Sequence, residues 1–289
     1  MPNVRAVPTL RRRRLGEALR TYRAQAGLSL GRAAEFMGWD ESKLSRIENA
    51  KARMPPPGVT KLLRLYGVND PEVAAALENL ARDAGKQGWW QTYGDAVALS
   101  YKDYLTLETD AESIQINAPL IPGLLQTGAY AREIIGAMAL TRTPEEVIAL
   151  AEVRKTRQAI LTTRAGGPLK FWAVIHETAL HQRFAAQPTL MREQLRHLLD
   201  MSDLPNITIQ VMPLAAGAHP GMLGLFEVVR FPHPWPTVVQ LENLRGGYLV
   251  EGTEDVKVFE TAFERVVAAA LPVDESRETI KKIMEGNGM

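Results

Sequence analysis

The chain has 289 residues, 46% of them apolar, with 34 basic and 33 acidic side chains and no cysteine. At roughly 150 residues per domain this is one large domain or two ordinary ones, and the apolar share is that of a folded chain. The missing cysteines exclude disulfides, cysteine zinc ligands, iron–sulfur clusters and thiol nucleophiles. No apolar run approaches the 18 or more residues of a membrane helix, and the basic start MPNVRAVPTLRRRRLGEALR lacks the apolar stretch of a signal peptide. A cytoplasmic, nucleoid-associated location is the expectation. The net charge of +1 is a cancellation. Residues 1–68 hold 14 Lys/Arg against five Asp/Glu, a net of +9, and residues 69–289 hold 20 against 28, a net of −8. A basic N-terminal quarter of this kind suits a polyanionic partner, although a solvated basic face has the same composition.

In chain order, Leu15, Ala18, Leu19 and Tyr22 recur at helical spacing, which predicts a helix over 10–25 ended by Gly27. Ser29 is an N-cap for a second helix through Met37, and Gly38 breaks it. Asp40 caps a third helix to about Asn49. Pro57 opens a fourth helix to Tyr66, and Asn69-Asp70-Pro71 starts a fifth. From 89 onward come an aromatic cluster (Trp89, Trp90, Tyr93, Tyr101 and Tyr104), then predicted helices at 127–138 and 144–163. Strand-like runs follow at 169–175, 207–212, 225–231, 237–242 and 248–250, with helices at 188–201, 253–270 and 274–284. The expected organisation is an all-α domain over 1–87 and an α+β domain with a mixed or antiparallel sheet over 88–289.

Ser29–Asn49, SLGRAAEFMGWDESKLSRIEN, is two short helices joined by Gly38-Trp39-Asp40. Leu44 and Ile47, three residues apart, share an inward face, and the opposite face carries Ser42, Ser45, Arg46 and Asn49. A helix with such a face fits the major groove, where these side chains can read base edges. An ordinary αα-hairpin with a polar outer face has the same spacing.

The wording Leu44-Ser45-Arg46-Ile47-Glu48-Asn49-Ala50-Lys51 resembles the end of the recognition helix in the lambda-repressor/Cro-like, or XRE-family, helix-turn-helix, typically S-x-I-S-R-I-E-N-G-K. The resemblance spans residues 10–67. It implies a lambda-repressor-like all-α fold, base reading by Ser42, Lys43 and Arg46, and phosphate contacts from Ser29, Asn49, Lys51 and Arg53. Arg23 and Glu48 match a pair that the family often joins by a salt bridge. Glu41 occupies a further groove-facing position where a neutral or basic residue is more usual. Ala50 stands where glycine is usual, so the helix is expected to run slightly longer. Arg11–Arg14 would extend the basic footprint or form a solvated arm. The family usually acts as a homodimer on near-palindromic double-stranded DNA.

No catalytic constellation is found beyond this region. His176-Glu177 is followed by His181 five residues after the first histidine, where a zinc-binding HExxH helix needs four. His219 and His233 lie in Pro/Gly-rich loops. The ordered motifs Gly88-Trp89-Trp90, Pro119–Thr127 (PLIPGLLQT), Met191–Leu195 (MREQL), Leu204-Pro205-Asn206 and Gly217–Gly221 (GAHPG) resemble the C-terminal domain of actinomycete XRE regulators, a group that includes the WhiJ-like regulators and is also labelled antitoxin-like. That resemblance implies a regulator, more repressor than activator, whose C-terminal domain dimerises or senses a small acidic partner protein or a small molecule. The alternative it implies is an antitoxin-like protein that binds a small partner and autoregulates its own promoter. Neither reading involves a metal, a cofactor or an enzymatic activity.

Overall fold

The computed structural model describes residues 9–85, 88–138, 142–164, 166–244 and 246–286. The start of the chain and the expected boundary residues Lys86 and Gln87 lie outside the described residues. The chain forms two compact units, residues 1–89 and 90–289.

The first unit has five helices: α1 (Leu10–Gln25), α2 (Leu30–Met37), α3 (Glu41–Glu48), α4 (Pro56–Leu65) and α5 (Pro71–Asp83). Their ends follow from local chemistry. Thr9, Ser29, Asp40 and Asp70 each cap a helix by accepting a backbone N–H, and α4 and α5 begin with proline, whose missing N–H would have had no intrahelical acceptor there. Helix α4 starts at Pro56, one residue ahead of expectation, with Pro55 at the cap position. Leu15, Leu19, Leu44, Ile47, Leu62, Leu63 and Leu77 are buried and supply the core. Gly16 allows α1 to cross the end of α3 closely, since a Cβ there would lie 2.5 Å from the Glu48 carbonyl oxygen and 2.8 Å from that of Ile47.

The second unit begins at Trp90, within a 3-10 segment over Trp89–Ala96, continues with α6 (Leu99–Asp110), then builds a six-stranded sheet. Its strands are β1 (Ser113–Ala118), β2 (Lys170–His176), β3 (Ile207–Met212), β4 (Phe226–Arg230), β5 (Val238–Asn243) and β6 (Gly246–Val250), in the order β3-β2-β1-β4-β5-β6. β1, β2 and β3 are parallel, while β4, β5 and β6 form an antiparallel meander joined to β1. The sheet is therefore mixed. Parallel neighbours need long crossovers: α7 (Gly128–Met138) and α8 (Pro144–Arg157) connect β1 to β2, and α9 (Leu190–Met201) connects β2 to β3. α10 (Thr253–Ala269) and α11 (Val273–Gly286) complete the unit.

One sheet face packs on α10 through Val174, Met212, Phe226, Val228 and Val239 against Val256, Phe263 and Val266. A second apolar cluster joins Trp90, Leu105, Ala131, Ile135, Leu150 and Val153. Strand alternation puts Glu227 on the sheet face away from Phe226 and Val228, where Tyr104 of α6 meets it. β1 was not among the expected strands, although SIQINA alternates Ile114 and Ile116 with polar residues.

Candidate nucleic-acid interface

The α2–turn–α3 segment owes its shape to Gly38 and Asp40. Gly38 ends α2 in the left-handed region at φ 67°, which a residue without Cβ adopts at little cost. Asp40 Oδ1 then accepts the Lys43 N–H at 2.8 Å and starts α3. α3 is anchored from below. Leu44 and Ile47 are buried, and Arg23 of α1 donates from Nε to Glu48 Oε1 at 2.7 Å and from Nη2 to Oε2 at 2.8 Å. The same guanidinium donates from Nη1 to the Leu28 carbonyl at 2.9 Å, tying α1 to the loop before α2. The Glu48 carboxylate raises the Arg23 pKa further, and burial works against that. Bidentate geometry of this kind fixes orientation as well as energy.

Side chains on the outer surface differ in their commitments. Ser42 Oγ donates to Asp40 Oδ1 at 2.5 Å, so it shares in the cap. Lys43 holds its ammonium 4.1 Å from the Trp39 ring centroid, a contact not foreseen in the sequence. Asn49 Nδ2 donates to the Ser45 carbonyl at 2.8 Å. Arg46 is exposed and makes no side-chain hydrogen bond among the described residues. Glu41 leans toward the start of α2, where a Cβ on Gly31 would lie 3.4 Å from its Oε2. Its carboxylate thus sits near the positive end of α2. Lys51 is exposed, whereas the Arg53 guanidinium lies against Gly85 just past α5.

Two sequence expectations are corrected here. α3 does not run longer at Ala50: it ends at Glu48, and Ala50 takes the left-handed conformation itself at φ 59°. Its N–H donates to the Ile47 carbonyl, and the Lys51 and Ala52 N–H groups both donate to that of Arg46, so the C-terminal hydrogen bonds of α3 impose the turn whatever residue occupies it. Nor do Arg11–Arg14 form a solvated arm. They lie within α1, and Arg14 is buried.

The second unit uses its motif residues differently. Gln194 is fully buried: its Nε2 donates to the Leu125 carbonyl at 2.7 Å, and its Oε1 accepts the Thr127 N–H at 2.7 Å. Gln126 donates to the Ile121 carbonyl and accepts from Arg154 Nη1. Asn206 Nδ2 donates to the Leu161 and Leu169 carbonyls, and Asn117 Nδ2 to those of Gly221 and Gly224. Gln126 of PLIPGLLQT, Gln194 of MREQL on α9 and Asn206 of LPN therefore fasten neighbouring backbone, and Asn117 does the same for Gly221 of GAHPG. Trp90 packs into a core cluster of this unit.

Tyr104, Glu108, Arg157 and Glu227, far apart in sequence, meet in the interior. Tyr104 Oη lies 3.1 Å from Glu108 Oε1 and donates to Glu227 Oε2 at 2.9 Å, while Arg157 Nη1 is 3.7 Å from Glu108 Oε1. Gly123 makes room for this arginine, because a Cβ there would collide with its guanidinium. Burial first, and the neighbouring Glu108 next, push Glu227 up to about 8. His176 Nδ1 lies 2.8 Å from Thr178 Oγ1, and His181 Nε2 lies 3.4 Å from Glu177 Oε1. No group of three metal-ligating side chains occurs among the described residues.

Two families account for this division. Residues 14–77 match a helix-turn-helix domain, the class to which the geometry of α2 and α3 belongs. Residues 101–282, well over half of the chain, match the domain of unknown function DUF5753, and the chain belongs to that family. No curated protein and no solved structure matches it. Among the described residues no helix is long and apolar enough to cross a membrane.

Proposed function

We propose that this protein is a sequence-specific, double-stranded DNA-binding transcriptional regulator that acts as a repressor and has no enzymatic activity of its own. The observation that carries the reading is Arg46, exposed and without a side-chain hydrogen bond among the described residues, on a recognition helix whose inner face is pinned by Leu44, Ile47 and the Arg23–Glu48 pair. Arg46 is assigned to guanine O6/N7 in the major groove, with Ser42, Lys43 and Ser45 reading neighbouring edges. Ser29, Asn49 and Lys51 are assigned to phosphates. Arg53 reaches one by leaving Gly85, and Lys43 reaches a base by leaving Trp39. Two copies bind a near-palindromic operator with half-sites roughly 34 Å apart. The C-terminal unit receives the signal, a small molecule or a partner protein, that changes operator affinity.

The test is a gel-shift titration on DNA from the protein's own promoter beside random DNA, at fixed salt. Arg46→Ala is expected to cost about 1–3 kcal/mol on the operator and to relax preference at one base pair. Equal losses on operator and random DNA would remove Arg46 as a reader. No sequence-specific shift by the unaltered protein would sink the function.

A further inference from the structure

A cavity of about 350 Å³ opens in the C-terminal unit where the start of α7 meets α8 and α9. That volume is within the range of small-metabolite sites. Its lining includes Thr127 and Gly128 at the start of α7, Arg132 one turn on, Glu152 and Lys155 of α8, and His197 of α9.

The lining is rich in unused donors. Arg132 folds back toward the helix start, where a Cβ on Gly128 would lie 4.0 Å from its Nη1. Neither Arg132 nor Lys155 has a side-chain hydrogen bond or ion pair among the described residues. His197 Nε2 is buried with no partner, although its residue lines open space. Burial lowers its pKa below the ordinary 6.5 against a smaller opposing effect of Asp200, so the ring is neutral near pH 7. A neutral imidazole carries one N–H, and with that hydrogen on Nε2 the buried donor has no protein partner at the edge of the cavity. At the start of α7, Thr127 takes up the N–H groups of Tyr130 and Ala131 through its hydroxyl and carbonyl oxygens. Gly128, the first residue of α7, lines the cavity and belongs to the turn whose N–H groups have no intrahelical acceptor. The wall behind is stiff, because Gln158 Nε2 donates to the Gly123 and Gln126 carbonyls and Gln126 is itself fastened. A preformed site spends little binding energy on ordering itself.

We propose that this cavity binds a small organic phosphate, with the phosphate held by Arg132, Lys155 and the start of α7, and a hydroxylated body that has Glu152 as its hydrogen-bond partner and lies beside the His197 ring. A helix start beside an arginine suits a phosphate, since N–H groups and a fork of donors converge on it. The single carboxylate, Glu152, accepts from hydroxyls, and the volume exceeds what a bare phosphate fills. The inference rests on reading the C-terminal unit as the one that receives the signal.

Isothermal titration of the full-length protein without DNA, at matched ionic strength, tests it with ribose 5-phosphate, ribose and inorganic phosphate as separate probes. Saturable binding is expected for ribose 5-phosphate, weaker binding for inorganic phosphate and none for ribose. Arg132→Ala should weaken the phosphate ester by about tenfold or more, the usual effect of losing a charge-assisted hydrogen bond. His197→Ala should weaken it by less. Lys282→Ala, which removes a charge on α11 outside the cavity, should change nothing. The proposal is overturned if neither phosphate saturates, if Arg132→Ala binds like the unaltered protein, or if Lys282→Ala loses as much. Since no DNA is present, that failure is separate from a failure of operator binding, which the gel shift reads. An operator that is bound but unaffected by a saturating phosphate ester would instead remove the coupling.

Discussion

The two units spend their polar motif residues in opposite directions. In the helix-turn-helix unit the motif Leu44–Lys51 alternates buried anchors with side chains that face out, and Arg46 and Lys51 stay exposed. In the C-terminal unit the motif residues Gln126, Gln194 and Asn206 turn inward and bond backbone carbonyls. A polar residue in a family motif can therefore mark either a surface that meets a partner or a fastener beneath a loop. Burial and bonding distinguish the two, and sequence alone does not.

Substitutions can break this contrast, and the largest effect belongs to the interior. Arg157→Met removes the cation beside Glu108 and leaves a buried carboxylate without its charge partner. It should cost the C-terminal unit about 3–5 kcal/mol, measured by guanidinium unfolding. An equal loss in the helix-turn-helix unit would show that the two units unfold together. The same cluster sets a pH dependence. Glu227 is pushed up to about 8 when folded and returns to near 4.5 on unfolding, so between these values the folded unit keeps a proton that the unfolded chain has released. Its contribution is full below about pH 4.5 and is lost as the pH rises to about 8. Glu227→Gln, which keeps a neutral group at the site, should flatten that slope. An unchanged slope would mean that Glu227 ionises freely.

Smaller effects belong to the outer face. Lys51→Ala should weaken operator and random DNA alike and lower the salt slope by about one, read from affinity against salt concentration. A change confined to the operator would make Lys51 a base reader. Ala50→Gly should stabilise the N-terminal unit by about 1 kcal/mol in thermal unfolding, because a left-handed alanine carries a steric cost that glycine escapes. The smallest effect is expected from Glu41→Gln. Removing a carboxylate from beside the α2 start should raise affinity for every DNA sequence a few-fold, in keeping with a charge near a helix terminus. Weaker binding that is confined to one operator position would instead give Glu41 a reading role.

Much of the first unit was legible because its signals are local. Ser29, Asp40 and Asp70 cap the helices they precede, and Gly38 breaks α2 where expected, in the left-handed conformation. Ala50 misled because a residue's own preference was weighed without the carbonyls that close the helix around it. In the second unit the runs at 207–212 and 237–242 correspond to β3 and β5, each rich in β-branched residues. β1 was lost among helical neighbours despite its period of two. The cluster of Tyr104, Glu108, Arg157 and Glu227 left no local trace, since its members are brought together only by the sheet and the helices on one of its faces. The Lys43–Trp39 contact was within reach of sequence reading, as the two residues are four apart across a turn.

The close crossing at Gly16 has an evolutionary consequence. With α1 pressed against the last carbonyls of α3 and the Arg23–Glu48 pair beside it, the pose of α3 depends on residues that never face outward. The outward position 46, whose side chain makes no hydrogen bond among the described residues, can then vary without tilting the helix. Under the proposed function, related chains could change the base addressed from position 46 on an unchanged mount, while any change at Gly16 would be felt along the whole outer face of α3.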